Sequence, residues 1–134
     1  MESYVIDTYA WIEYVRGTAA GDAAKMYIED QRSIMPTIVI LEFERYLLKR
    51  LGEGSDTAAG YEAKKEFVKS VSTLIPLDYE ISISEAKIDV EMKEKKKNWG
   101  MADSIVLATA RHLNAKVVTG DEHFRGLKEA VMIK

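Results

Sequence analysis

Five short apolar or β-branched runs, at residues 3–6, 32–35, 73–77, 116–119 and 130–133, alternate along the chain with longer stretches of helical character. Each run has the length and flanking residues of a buried strand. The stretches at 9–15, 22–31, 37–51, 57–72, 80–97 and 103–114 read as helices, with one further turn expected at 122–126. Strands that alternate with helices need crossover connections, so the expectation is an α/β fold, a mostly parallel sheet with helices on both faces. Each of the first three crossovers is expected to hold two helices, because residues 17–21, 52–56 and 98–100 carry the breaks that split them. At 134 residues the chain suits one core, and a single domain spanning 1–134 is expected.

Composition removes several classes of chemistry. With no cysteine there is no disulfide, thiolate zinc site or thiol nucleophile. No stretch approaches the roughly 18 apolar residues of a membrane span, and residues 1–5 lack the pattern of a secretory leader, so a cytoplasmic protein with no membrane role is expected. Lysine and arginine number 19 against 22 acids, a net charge of −3. That balance lacks the basic excess usual in a nucleic-acid binder. Positive charge is nevertheless concentrated locally, at Lys49-Arg50, Lys64-Lys65 and Lys93 to Lys97. For the last of these the expected role is a solvated helix face with Glu–Lys pairs.

Open α/β sheets do chemistry just beyond the carboxyl ends of their strands, near a switch in strand order. Asp7 directly follows the first strand, and Asp121 follows the fourth after one glycine. If those strands are neighbours, the two acids share one crevice. Glu42 follows four consecutive aliphatic residues, Ile38 to Leu41, where a charge is costly unless paired or metal-bound. Asp103 opens the most hydrophobic helix. Each acid also has an ordinary structural explanation. Asp7 and Asp103 suit helix N-caps, Asp121 suits a turn, and Glu42 can pair with Arg45 or Lys49, with Glu44 as the inward carboxylate instead.

Four carboxylates at one end of a sheet raise one another's pKa and call for a counter-charge. An oxygen-rich set with no cysteine favours a hard cation, Mg²⁺ or Mn²⁺. Of the two histidines, His112 is expected as a polar residue near a helix end and His123 as a surface turn residue, neither with ligand spacing. Acidic sites for such ions commonly serve phosphoryl chemistry, which points to phosphodiester hydrolysis. Trp11 and Tyr14 are expected to anchor the core.

Four segments then carry a resemblance: Val5-Ile6-Asp7-Thr8-Tyr9-Ala10, Pro36-Thr37-Ile38-Val39-Ile40-Leu41-Glu42, Met101-Ala102-Asp103-Ser104-Ile105-Val106-Leu107-Ala108-Thr109-Ala110 and Val117-Val118-Thr119-Gly120-Asp121-Glu122-His123-Phe124. In order and over essentially the whole chain they resemble the motifs of PIN-domain nucleases, particularly VapC-type toxins. The resemblance implies a three-layer α/β/α fold with a five-stranded parallel sheet in the order 3-2-1-4-5. It also implies an acidic quartet of Asp7, Glu42, Asp103 and Asp121 that binds Mg²⁺ or Mn²⁺ to cleave RNA, with Thr8 and Thr119 at the site edge. Glu42 is favoured over Glu44 by its motif position. A homodimer and an antitoxin protein partner, received in a groove near the early helices, are implied as well.

Two other functions compete. A PIN domain can serve as an RNA-processing nuclease or binding subunit without a toxin role, which an antitoxin gene beside this one would argue against. A receiver-like signalling domain also places an acidic Mg²⁺ pocket at strand ends. It calls for an acidic pair after strand one, where this chain has Asp7-Thr8, and for a lysine after strand five, where Lys134 is merely terminal.

Overall fold

The computed structural model describes residues 2–30 and 33–134; Gln31 and Arg32, expected to end the second helix and begin the second strand, lie outside the described residues, as does Met1. The order of elements is β1 (Tyr4–Ile6), α1 (Thr8–Arg16), α2 (Ala19–Glu29), β2 (Ser33–Pro36), α3 (Thr37–Gly52), α4 (Ala58–Val71), β3 (Ser72–Ile75), α5 (Tyr79–Lys95), α6 (Met101–His112), β4 (Lys116–Thr119), a 3-10 turn (Glu122–Phe124) and β5 (Ala130–Met132). Each of the first three crossovers holds two helices, as the breaks in the sequence imply.

The five strands pair in parallel in the order β3-β2-β1-β4-β5. Val5 of the central strand lies opposite Ile34 on one side and Val117 on the other. Consecutive strand residues point to opposite faces, and Val5 and Ile6 are both 0% exposed, so both faces of the sheet are covered and the fold has three layers. A receiver-like sheet places its first strand between the second and third. The order observed here excludes that reading.

The expectation of five buried strands holds only for the inner ones. β3 and β5 are the sheet edges, and Thr73 and Leu74 of β3 are exposed. An apolar run marks a strand but carries no information about its place in the order.

On one side of β1 the helices meet closely. A Cβ on Gly21 of α2 would sit 2.1 Å from the carbonyl oxygen of Glu13 in α1, so only glycine lets these two backbones approach this far. Trp11 of α1 is fully buried and packs against Phe43 of α3 at 5.9 Å between ring centroids. Tyr14 is half-buried, stacked on Phe67 at 5.8 Å, with its hydroxyl donating to Glu29. Both aromatics therefore anchor the core.

α6 is buried continuously from Ser104 to Ala110. It carries the chain back to β4, next to β1. From β1 the chain winds outwards to β2 and β3, then returns to β4 and winds the other way, so the loops after β1 and β4 flank the switch point.

Candidate metal centre

Asp7 follows β1 and caps α1. Its Oδ1 accepts the Thr8 backbone N–H at 2.8 Å, and its Oδ2 accepts the Thr119 hydroxyl at 2.8 Å across the β1–β4 junction. The Thr119 Oγ1 accepts the Asp121 backbone N–H at 3.0 Å. One buried hydroxyl thus ties the acid after β1 to the loop after β4. Only 8% of Asp7 is exposed, and burial pushes its carboxyl up from 3.8 to about 7. The hydrogen bonds from Thr119 and Thr8 oppose that rise, while the nearby negative charges of Asp103 and Glu42 add to it.

Glu42 lies in the second turn of α3, and its Oε1 accepts the Thr8 hydroxyl at 2.7 Å. Glu44, the alternative, is turned away and accepts the Tyr61 hydroxyl of α4. The helical pairing of Glu42 with Arg45 or Lys49 is not formed. Among the described residues no lysine or arginine makes an ion pair with Asp7, Glu42, Asp103 or Asp121.

Asp103 is not the N-cap residue of its helix. The helix begins at Met101 after Gly100, and Asp103 reaches back from the third position so that its Oδ2 accepts Gly100 N–H at 3.1 Å. Asp121 caps the 3-10 turn, its Oδ1 accepting His123 N–H at 2.9 Å.

That turn brings in a residue the sequence reading placed at the surface. His123 is half-buried, with Nδ1 2.8 Å from Asp103 Oδ2 and 3.6 Å from Asp121 Oδ1. Potential ligand atoms of Asp103, Asp121 and His123 all lie within 4.8 Å of one another. The readable signal was the Asp-x-His spacing. A carboxylate that accepts the N–H two residues on folds the chain back and carries the histidine over the acid. His112, by contrast, is exposed at the end of α6.

All four predicted acids and both predicted threonines therefore meet at one end of the sheet. The donor set suits a divalent cation on two counts: the carboxylates have no lysine or arginine among the described residues to neutralise them, and their oxygens are those of a hard-ion site. Asp7, Glu42, Asp103 and Asp121 would hold such an ion.

A parallel sheet in this order, with acids converging at its switch point, defines the class of protein. The chain belongs to the PIN domain family, whose model matches residues 4–130. Similar solved structures include a toxin–antitoxin complex from Klebsiella pneumoniae, 19% identical, covering 98% of this chain and 98% of that one with a TM-score of 0.74. VapBC2 from Rickettsia felis bound to a promoter DNA fragment is 15% identical over 96% of each chain, with a TM-score of 0.72. VapC20 from Mycobacterium tuberculosis, a sarcin-ricin loop cleaving toxin, is 17% identical over 95% of this chain and 98% of that one, with a TM-score of 0.65. No curated protein sequence matches the chain. No helix among the described residues is long and apolar enough to cross a membrane.

Proposed function

We propose that the protein is a Mg²⁺- or Mn²⁺-dependent endoribonuclease acting as the toxin of a toxin–antitoxin pair in the cytoplasm. One observation carries this reading: four acids from four separate segments converge where β1 and β4 end, and no lysine or arginine among the described residues pairs with them. The family and the toxin–antitoxin complexes of similar fold support it.

In this reading Asp7, Asp103 and Asp121 hold the cation and Glu42 either completes the set or orients the attacking water. A bound divalent ion would neutralise the scissile phosphate and activate water for in-line attack. The chain's own contribution is placement. Thr119 fixes the Asp7 carboxylate, Thr8 fixes Glu42 and the Gly100 amide holds Asp103. Three carboxylates held in this way need little reorganisation when the ion binds.

A shallow hollow between α1 and α4, lined by Tyr14, Val15, Ala63 and Phe67, supports the antitoxin partner expected near the early helices. Exposed apolar side chains one heptad apart, Leu41 with Leu48 on α3 and Ile83 with Val90 on α5, support a homodimer. The test is cleavage of a single-stranded and a structured RNA with Mn²⁺ or Mg²⁺. Activity is expected to vanish in excess EDTA and in Asp7→Asn, and full activity in either would overturn the reading. Growth arrest on expression, relieved by the product of a neighbouring gene, tests the toxin role.

A further inference from the structure

Asp103 is held by one oxygen. Its Oδ2 accepts Gly100 N–H and lies 2.8 Å from His123 Nδ1, whereas among the described residues no donor reaches Oδ1. His123 is itself held through its backbone on two sides and has a ring neighbour on a third. The His123 amide donates to Asp121 Oδ1 at 2.9 Å, and its carbonyl accepts Lys96 Nζ at 2.7 Å. Lys96 Nζ also donates to the Arg125 carbonyl at 2.7 Å, and the Trp99 ring lies 6.3 Å from the imidazole between centroids. Lys96 thus departs from its neighbours: Lys95 forms the expected solvated pair with Glu91, and Lys93 pairs with the more covered Asp89.

Resting on the metal-centre reading above, we propose that His123 is a positioning residue: an Nδ1–H donor that pins Asp103 through Oδ2 and leaves Oδ1 for the cation. A ring nitrogen that carries a proton toward Asp103 has no lone pair for a metal, so this role and that of a direct ligand through Nδ1 are distinct. Donors of this kind fix the orientation of a coordinating carboxylate without touching the ion. Both donors to Oδ2, His123 and Gly100, depend on the segment from Lys96 to Gly100 that links α5 to α6.

The experiment measures Mn²⁺ affinity by calorimetry on the whole protein at one pH, with circular dichroism to verify folding. His123→Ala removes the donor, His123→Gln moves it to the ε position, and His123→Asn keeps it at the δ position. Affinity is expected to fall about tenfold or more in the first two. His123→Asn is expected to bind close to wild type. Nitrogen shifts of the His123 imidazole in the metal-free protein are expected to show a proton on Nδ1.

Unchanged affinity in His123→Ala, equal weakening in His123→Asn, or a neutral ring protonated on Nε2 overturns the proposal. Should His123→Ala fail to fold, the contrast between the Gln and Asn variants decides alone. If wild type shows no saturable Mn²⁺ binding, or Asp103→Asn binds as well as wild type, the metal-centre reading falls and the proposal with it. Wild-type binding that His123→Ala leaves intact removes the proposal only.

Discussion

Burial raises the Asp7 carboxyl to about 7, whereas coordination of a cation requires it ionised. The consequence for stability has a definite sign. The unfolded chain releases this proton near 3.8 and the folded metal-free protein near 7, so the folded state binds more protons between those values and loses stability as pH rises through them. A shift of about three units corresponds to about 4 kcal/mol, an upper figure for this one group. Asp56, Asp89, Glu91, Glu122 and Glu129 have lowered pKa values, and their contribution is lost as pH falls, so it runs the other way. Subtracting the metal-free unfolding curves of Asp7→Asn from those of wild type isolates the Asp7 part. The variant is expected to be the more stable protein at pH 8, with the difference vanishing toward pH 4; equal stability at both ends refutes the assignment. At the neighbouring pair, Glu42→Gln is expected to reduce RNA cleavage by about 100-fold or more, because losses at residues behind the ligands already reach 10–100-fold. Glu44→Gln, which touches Tyr61, is expected to leave cleavage intact. The acids were legible as residues because a carboxylate beside aliphatic neighbours needs a reason, but only the motif position favoured Glu42 over Glu44, and no residue pattern gave their orientation. That Glu42 and not Glu44 faces Thr8 follows from helical phase against α1, which is a property of packing.

Helices and strands were legible through period and length, and the boundaries shifted where capping decided them. α6 starts at Met101 because Gly100 caps it and Asp103 closes the cap from the third position, an arrangement that makes one carboxylate both a helix-start device and a site residue. The edge exposure of β3 was not legible, since nothing in a short apolar or β-branched run reports which strands flank it. Nor was the closeness of α1 and α2 legible. Gly17 to Gly21 reads as a break, yet Gly21 lies inside α2, where its missing Cβ admits the Glu13 carbonyl. Gly21→Ala is expected to destabilise the protein by about 1–3 kcal/mol in denaturant titrations, the usual cost of overpacking. A neutral result would show that α2 can shift away from α1 freely. The link from α5 to the β4–β5 loop makes a second demand at this scale. Lys96→Ala removes two bonds to loop carbonyls, so faster hydrogen exchange is expected at the Phe124, Arg125 and Leu127 amides, all of which close turns in that loop. Protection unchanged at those amides would mean that the turns hold without the lysine.

For the whole molecule, alternation alone implied a parallel sheet with covered faces, while the order 3-2-1-4-5 came from the family resemblance. Nothing local in a sequence states which strands neighbour one another. The order matters because it makes the site exist only in the folded chain: residues 7, 42, 103 and 121 are far apart in sequence and converge through β1 and β4. It also alters the meaning of the acidic balance of 22 to 19, since four of the acids are gathered at one place and the rest of the surface is close to neutral. A cation that binds this assembled site and not the unfolded chain must stabilise the fold by linkage, about 2.7 kcal/mol when its concentration is 100 times the dissociation constant. Thermal unfolding followed against Mn²⁺ concentration is expected to show a rising midpoint, absent with K⁺ at matched ionic strength and reversed by EDTA. The gain is expected to be larger at pH 8 than at pH 6, because at the lower value Asp7 must first give up its proton. In Asp7→Asn the metal-free midpoint at pH 8 is expected to be higher and the Mn²⁺ response to be lost, so one substitution separates the cost of the empty site from the benefit of filling it. An equal Mn²⁺ response in that variant would place the stabilising ion elsewhere on the surface and detach the acidic cluster from metal binding.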